Sequence, residues 1–410
     1  MYFVLFFFLC VHPLYGFMFK DHCYSFEALR VPSCAVSGGA DINECLQTAH
    51  NITEGDDESW YTEWHALATR VEKEAINSEN GRYLSSAKSQ FFRAANYYRA
   101  AEFFLHDDPN DPRIIPTWEK GVICFARGAQ YNEYPIIPVK IPFEGTTLPG
   151  YLCLADKSGV KRSLVIVQTG FDGTKEELYF TSAFFALKRG YNCLLFEGPG
   201  QGEVLRKQRI PFRYNWETVI TPVVDYALSQ SVVDPNKIVL MGLSMGGYLV
   251  PRALAFEHRV RIGIANGGVF DFHQVCMRGP PSMEQDIDDP EASQAINAFI
   301  TKQMKHEPGL RWFFCHGMYA FGVQTPSELL RMTRPYTLKD VITKIRTRML
   351  IVDSEDDREM PGQSRRVFDA LTCPKSYILF TRAEAAAEHC QVGAYALSNE
   401  RIFNWLDENL

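Results

Sequence analysis

Apolar residues recur at helical spacing in the first third of the chain. Their spacing of three and four residues is typical of a buried helix face, and one such face carries Trp60, Trp64, Ala68 and Val71. Further helical patterns cover residues 87–101 and about 115–127, whereas residues 18–55 show no clear period. We therefore expect a helical N-terminal domain over residues 18–133.

From residue 134 the apolar pattern changes to that of strands. A predicted β-hairpin, with strands at 135–142 and 148–155, comes first. Short apolar runs then alternate with helical segments, and the first of these runs are 164–169, 192–196 and 238–241. This alternation predicts an α/β fold, with a mostly parallel sheet and helices on both faces, over residues 134–410.

An insertion at about residues 267–344 interrupts the alternation. It has a helical pattern and is rich in methionine and aromatic residues. We interpret it as a helical lid over an apolar pocket, because long insertions beside reactive sites often cover them. The alternative is a plain packing layer.

Composition and charge narrow the function classes. The chain has 410 residues, 46% of them hydrophobic, and a net charge of −7. This charge offers no basic surface for nucleic acid, so we expect no such partner. The eleven cysteines form no C-x-x-C pair, and the ten histidines form no H-x-x-x-H pair. We therefore predict neither a metal nor a cofactor.

Residues 1–17 allow two interpretations. The apolar run at 2–10 resembles a short secretory signal without a basic start, and the protein would then be secreted. The alternative is a mis-assigned start, with Met18 as the beginning of a cytoplasmic enzyme. We favour the cytoplasmic location because scattered, odd-numbered cysteines suit a reducing compartment. The run is too short to span a bilayer, so we expect no stable membrane span.

The motif Gly242-Leu243-Ser244-Met245-Gly246 follows an apolar strand and precedes a helical segment. This context is typical of a nucleophile elbow, a strained turn that exposes the serine hydroxyl. The two glycines allow the close backbone approach that the turn requires. The Met245 N–H then lies at a helix start and can stabilise an oxyanion. The alternative is a serine in an ordinary Gly-rich turn.

A serine nucleophile needs a base and an acid that orients the base, and both follow later strands in this architecture. After the predicted strand 348–352 comes an acidic loop, in which we favour Asp357 as the acid. The alternatives in that loop are Asp353, Glu355 and Asp356. His389 follows the predicted strand 376–380 and is the expected base.

The turn after the predicted strand 164–169 is Gly-rich and should supply a second oxyanion donor. We expect the N–H of Phe171 in this role, with Asp172 as the next candidate. A Gly-rich turn can also bind phosphate, but this one lacks the Gly-Lys-Ser/Thr ending of a P-loop. We interpret the later segment 197–203 as a tight turn.

The order of these motifs resembles that of the α/β-hydrolase superfamily over about residues 134–410. With the helical N-terminal domain, the chain resembles dihydropseudooxynicotine hydrolase and fungal hydrolases of secondary-metabolite (polyketide and polyketide–peptide) pathways. The resemblance rests on segments 169–177, 196–203, 242–247 and 388–391. It implies Ser244, Asp357 and His389 as the catalytic triad.

An additional lid acid is used in at least one relative. Asp271 and Glu284 lie in the corresponding region of this chain. Neither residue belongs to a motif that matches the family, so we assign no catalytic role to them.

We expect a serine-type hydrolase of a bulky apolar carbonyl compound, with an ester, lactone or 1,3-dicarbonyl C–C bond as the target. One alternative is a cyclase or condensation catalyst that uses the same pocket without net hydrolysis. Another is a non-catalytic ligand-binding module, against which the complete triad argues. The expected partner is a small apolar substrate, and the helical domain either caps the pocket or pairs subunits in a homodimer.

Overall fold

A single eight-stranded sheet forms the centre of the protein. The computed structural model describes residues 18–277 and 283–410, so both interpretations of residues 1–17 concern residues outside this description. The strands are β1 (Ile136–Phe143), β2 (Thr146–Cys153), β3 (Arg162–Gln168), β4 (Asn192–Phe196), β5 (Val233–Leu243), β6 (Ile262–Asn266), β7 (Arg348–Ser354) and β8 (Lys375–Phe380).

The strand order is β1-β2-β4-β3-β5-β6-β7-β8. Strand β2 pairs antiparallel with β1 and β4, and all later neighbours pair in parallel. In the register of the central strands, Met241 lies opposite Val167 and Ile264. The mostly parallel α/β fold predicted from the sequence is therefore confirmed.

Alternate residues of the central strands face two apolar layers, as the pleat of a strand requires. In β3, Val165 and Val167 pack towards the N-terminal helices. Leu164 and Ile166 point to the opposite layer. Between β3 and β6 the chain forms five α-helices, namely α6 (Lys175–Leu178), α7 (Phe184–Lys188), α8 (Gly202–Gln208), α9 (Glu217–Ser229) and α10 (Gly246–Leu254).

Five helices precede the sheet in the chain: α1 (His22–Ser33), α2 (Ile42–Asn51), α3 (Asp57–Asn80), α4 (Leu84–Glu102) and α5 (Ile114–Gln130). The face predicted on α3 is buried, with Trp60 and Trp64 fully inaccessible to solvent. The independence of this region as a domain stays a prediction.

The sequence pattern did not indicate α1 and α2. Helix α1 buries Glu27 beside Phe26 and Ala28. Polar residues therefore interrupt its apolar stripe. Arg30 lies 3.3 Å from the Glu27 carboxyl, but burial outweighs this pairing and raises the pKa of Glu27 to about 7.

The segment between β6 and β7 is helical, as predicted for the insertion. It contains α11 (Phe272–Cys276), α12 (Met283–Asp286), α13 (Pro290–Met304), α14 (Pro308–Phe321) and α15 (Pro326–Thr333). Helix α14 contacts α1, so the insertion and the N-terminal helices meet. Helices α16 (Gln363–Ala370) and α17 (Tyr395–Asn409) complete the fold.

In residues 18–277 and 283–410, no helix combines the length and apolar character needed to cross a membrane.

Candidate active site

Ser244 lies in the tight turn between β5 and α10. Its φ of 60° is in the left-handed region, which non-glycine residues rarely occupy and which is common at functional turns. A Cβ on Gly242 would lie 2.3 Å from the Gly246 carbonyl oxygen, so a side chain would prevent this turn. The Ser244 N–H donates to the Asn266 carbonyl at 2.9 Å. These features match the predicted nucleophile elbow.

Three residues predicted for catalysis meet at the carboxyl ends of the parallel strands. His389 Nε2 lies 2.9 Å from Ser244 Oγ, and His389 Nδ1 lies 2.8 Å from Asp357 Oδ2. The other carboxylate oxygen of Asp357 accepts the Met360 N–H at 2.8 Å. Asp357 and His389 are both buried. The structure thus joins residues 244, 357 and 389 in one hydrogen-bonded chain.

The other acids of the same loop bind different partners. Asp353 accepts hydrogen bonds from the Ser354 N–H and the Tyr377 hydroxyl. Glu355 accepts the Arg382 N–H at 2.8 Å, and Asp356 forms an ion pair with the Arg382 guanidinium. The position favoured from the sequence, Asp357, is the one that orients His389.

Burial and charge act in opposite directions on His389. Burial lowers its pKa, but the Asp357 carboxylate outweighs burial and holds the pKa well above its usual value. Since a carboxylate accepts only, Nδ1 of His389 carries the proton in this contact. In the neutral ring, the bare Nε2 then faces the Ser244 hydroxyl, which is the arrangement that a general base needs.

Two backbone N–H groups beside Ser244 match the predicted oxyanion donors. A Cβ on Gly170 would lie 2.6 Å from the Met245 nitrogen, so the loop that carries Phe171 lies directly against the elbow. In the part of the chain that the structure describes, neither the Met245 nor the Phe171 N–H is paired with a backbone carbonyl. Both groups are therefore available to a bound oxygen atom.

Gln201 holds this loop from behind, and the sequence analysis did not predict its role. Its Nε2 donates to the carbonyls of Thr169 and Gly170 at 3.1 and 2.9 Å. Its Oε1 accepts the Gly198 N–H at 3.0 Å. The segment interpreted as a tight turn therefore also fixes the loop 169–174. We call this loop the oxyanion loop, after the role expected for the Phe171 N–H. Because the partners are backbone atoms of a distant loop, no sequence motif signals this contact.

Helix α1 borders the site as well. Arg30 donates to Asp172 at 2.5 Å and forms two hydrogen bonds with Glu177, at 2.6 and 2.7 Å. The ring of Phe26 lies 6.4 Å from that of His389, measured between centroids. Asp172, the second candidate for the oxyanion loop, thus ties that loop to the N-terminal helices through its side chain.

Aromatic side chains of the insertion pack against the same loop. The Phe171 ring lies 6.0 Å from Trp312 and 5.8 Å from Phe313. Trp312 also stacks on Phe103 of the N-terminal region at 4.7 Å. Aromatic rings of the insertion thus cover the Phe171 side chain, which supports the interpretation of the insertion as a lid.

Asp271 and Glu284, the two acids singled out from the sequence, bind partners away from the triad. The Asp271 side chain accepts the Gln274 N–H and caps α11. Glu284 pairs with His273 at 2.6 Å and with Arg334 at 2.9 Å. Both acids thus have structural contacts elsewhere in the insertion.

Cys390 is buried directly behind Ser244. Its sulfur accepts the Ser244 N–H at 3.1 Å and lies 3.5 Å from His389 Nε2. Among the described residues, no group of three or more His, Cys, Asp or Glu side chains is placed to hold a metal ion.

Comparisons with known proteins identify the family of the chain. The model of the alpha/beta hydrolase family matches residues 165–391, which is more than half of the chain. The chain belongs to the α/β hydrolase family. Hydrolase LUC6 of Fusarium sp is 35% identical over 95% of this chain and 97% of its own. The 20-hydroxy-prefusarin hydrolase FUS2 of Gibberella moniliformis is 31% identical over 95% of this chain and 97% of its own length.

A solved structure extends the likeness to the whole fold. The 2,6-dihydroxy-pseudo-oxynicotine hydrolase superposes with a TM-score of 0.72 at 21% identity, covering 92% of this chain and 95% of that one. This comparison concerns the fold, including the N-terminal helices. The resemblance predicted from the motifs is confirmed for both the fungal hydrolases and this hydrolase.

Proposed function

We propose that this α/β hydrolase is a serine hydrolase in which Ser244 is the nucleophile, His389 the base and Asp357 the orienting acid. The hydrogen-bonded chain from Ser244 Oγ through His389 to Asp357 is the observation that carries this proposal. The proposed substrate is a bulky apolar carbonyl compound with an ester, a lactone or a 1,3-dicarbonyl C–C bond.

The proposed reaction proceeds through an acyl-enzyme. His389 Nε2 takes the hydroxyl proton while Ser244 Oγ attacks the carbonyl carbon. The N–H groups of Met245 and Phe171 stabilise the negative oxygen. His389 then protonates the leaving alcohol, or the leaving enolate carbon, and water activated by the same ring hydrolyses the acyl-enzyme.

The aromatic side chains packed around the Phe171 ring support the substrate class, since aromatic and apolar side chains line most sites for bulky apolar ligands. Similarity to fungal hydrolases, one of them named for a prefusarin substrate, supports a role in fungal secondary metabolism. The cytoplasmic location and the homodimer stay predictions.

Covalent labelling tests the nucleophile. We expect a fluorophosphonate to add one mass increment to the wild-type protein and none to Ser244→Ala. Ser229→Ala, at an exposed serine, is the matched control and should label like the wild type. Equal labelling of Ser244→Ala and the wild type would reject Ser244 as the nucleophile.

Product mass then tests hydrolysis on candidate substrates. We expect products that contain one added water, with 18O incorporated from labelled water. Products with the mass of the substrate would instead support the cyclisation alternative.

A further inference from the structure

A buried chain of polar side chains leads from the N-terminal helices to the oxyanion loop. Its members come from separate elements: Arg206 from α8, Glu102 from the end of α4, His106 from the turn after α4, and His316 from α14 of the insertion. Each is no more than 4% exposed. Such burial is costly unless every polar group is paired.

The contacts of this chain are continuous. Arg206 donates to both carboxylate oxygens of Glu102, at 2.8 and 2.7 Å. Glu102 Oε1 lies 2.9 Å from His106 Nε2, and His106 Nδ1 lies 2.8 Å from His316 Nδ1. His316 Nε2 ends the chain, 2.9 Å from the carbonyl oxygen of Phe171.

The hydrogen-bond partners of His106 and His316 determine how many protons the two imidazoles hold. The Phe171 carbonyl only accepts, so His316 Nε2 carries a proton. The Glu102 carboxylate also only accepts, so His106 Nε2 carries one. A single proton lies between the two Nδ1 atoms. Three protons on four ring nitrogens give the histidine pair one positive charge.

The environment locates that charge. Burial, and next to it the neighbouring His106, lower the pKa of His316 to about 3. His316 is therefore neutral and His106 is the imidazolium. Glu102 faces both cations, and although burial opposes ionisation, Arg206 and His106 keep its pKa below the usual value.

The chain ends at a loop in which three successive carbonyls are bound by side chains. Gln201 binds the carbonyls of Thr169 and Gly170, and His316 binds that of Phe171. In a trans peptide the N–H points away from the C=O. The bond from Gln201 to Gly170 therefore fixes the direction of the Phe171 N–H, and His316 fixes the next peptide.

We propose that His316 is a positioning residue of the oxyanion hole, held in its tautomer by His106, Glu102 and Arg206. This inference rests on the proposed serine mechanism, in which the Phe171 N–H binds the oxyanion. Glu102 of α4 and His316 of α14 thereby help to hold the loop that carries the Phe171 N–H. A loop left unheld at Phe171 would still bind substrate but would stabilise the transition state less.

Two substitutions at position 316 separate the hydrogen bond from packing. His316→Gln keeps a donor near the position of Nε2, whereas His316→Phe keeps the ring and loses the donor. With a p-nitrophenyl ester as probe, we expect His316→Phe to lower kcat about 100-fold, the scale of losing one oxyanion donor, with KM nearly unchanged. His316→Gln should recover at least tenfold of that loss. His273→Gln, a histidine of the insertion that pairs with Glu284, should match the wild type.

The rate of fluorophosphonate labelling at Ser244 gives a second readout. We expect it to fall with kcat in His316→Phe and to recover in His316→Gln. Equal kcat in the wild type and His316→Phe, or equal losses in the two variants accompanied by a raised KM, would overturn the positioning role. A wild-type protein that takes no label at all would overturn the proposed serine mechanism and this inference together.

The proton count is testable on the wild-type protein, without a variant that must fold. In 15N spectra of histidine-labelled protein at neutral pH, we expect His106 to carry protons on both nitrogens. His316 should carry a proton on Nε2 alone. Two neutral rings would overturn the proposed charge and with it the link from His106 to the oxyanion loop.

Discussion

His389 is buried beside Ser244, and His316 is buried beside the oxyanion loop. Their partners nevertheless shift the pKa values of the two rings in opposite directions. At His389 the partner on Nδ1 is the Asp357 carboxylate, and the pKa is raised. At His316 the partner on Nδ1 is His106, and the pKa is lowered to about 3. Burial acts in the same direction on both rings, so the neighbour decides the outcome.

The two rings show how a protein gives the same type of side chain two different roles. A carboxylate at Nδ1 fixes the proton there and leaves Nε2 bare towards Ser244. A cationic donor at Nδ1 leaves the proton on Nε2, which then points to the Phe171 carbonyl. The first ring is suited to accept a proton and the second to hold a peptide in place.

The largest expected effect comes from removing the base. His389→Ala should lower kcat/KM for a p-nitrophenyl ester by about 10⁴ to 10⁶-fold, because Ser244 would lose its proton acceptor. This loss should exceed that of His316→Phe by at least about 100-fold, the difference between removing a triad member and removing a positioning contact. Similar losses in the two variants would contradict the division of roles.

Removing the acid should lower kcat/KM less than removing the base does, and it should also move the pH profile. In Asp357→Asn we expect kcat/KM to fall about 10³ to 10⁴-fold, because the imidazole loses its orienting carboxylate. The base acts when deprotonated, so kcat/KM rises as pH passes through the pKa of His389. Since Asp357 raises that pKa, the acidic limb should lie above pH 6.5 or so in the wild type and at lower pH in the variant.

Profiles of kcat/KM between pH 5 and 9, approximately the range around the unperturbed histidine pKa, measure this shift. An acidic limb that stays in place in Asp357→Asn would show that the carboxylate does not control His389.

Glu102→Gln tests the buried polar chain that includes His106 and His316, through the stability of the folded protein. Arg206 would keep its buried charge without a carboxylate, so we expect the free energy of unfolding to fall by about 3–5 kcal/mol. The control Glu119→Gln breaks the exposed pair with Lys207 on the same helix as Arg206 and should cost less than about 1 kcal/mol. Urea denaturation at pH 7 measures both.

The pH dependence of the free energy of unfolding tests whether Glu102 is ionised in the folded protein. Because the pKa of Glu102 is lowered in the folded protein, its stabilisation is complete above the unfolded value of about 4.3 and is lost as pH falls below it. The difference between the wild type and Glu102→Gln should therefore shrink in acid. A difference that grows in acid would contradict an ionised Glu102.

The smallest effect is expected one residue away from the triad. Asp356 pairs with Arg382 on the surface side of the acidic loop. Asp356→Asn should leave kcat/KM within about threefold of the wild type, since surface pairs contribute about 1 kcal/mol or less. Paired with Asp357→Asn, this variant tests which acid serves His389. A loss from Asp356→Asn equal to that from Asp357→Asn would reject our assignment.

The fold and the hydrogen-bonded triad were accessible from the sequence because local patterns encode them. Strand periodicity predicted the parallel sheet, and Gly-x-Ser-x-Gly after a strand predicted the elbow at Ser244. Asp357 and His389 were found because each follows a late strand, and the carboxyl ends of parallel strands share one edge.

The side-chain contacts that hold the oxyanion loop in place could not be predicted from local sequence patterns. Glu102, Arg206 and His316 belong to three separate elements, and Glu102 and Arg206 are 104 residues apart in the sequence. No short sequence period links positions that far apart. Gln201 binds only backbone atoms of a distant loop. Helix α1 was missed because its buried face includes Glu27, whose pairing with Arg30 cannot be seen in a hydrophobic pattern.

The contact between the two ends of the fold has a consequence for synthesis. Ser33 Oγ of α1 accepts the N–H of Gly393, across 360 residues of sequence. At about 5–20 residues per second, α1 waits roughly 20–70 s on the ribosome for this partner. During that interval its buried acid and arginine have no finished sheet to cover them. The contact from α1 to Gly393 therefore forms only after all strands of the eight-stranded sheet have been synthesised.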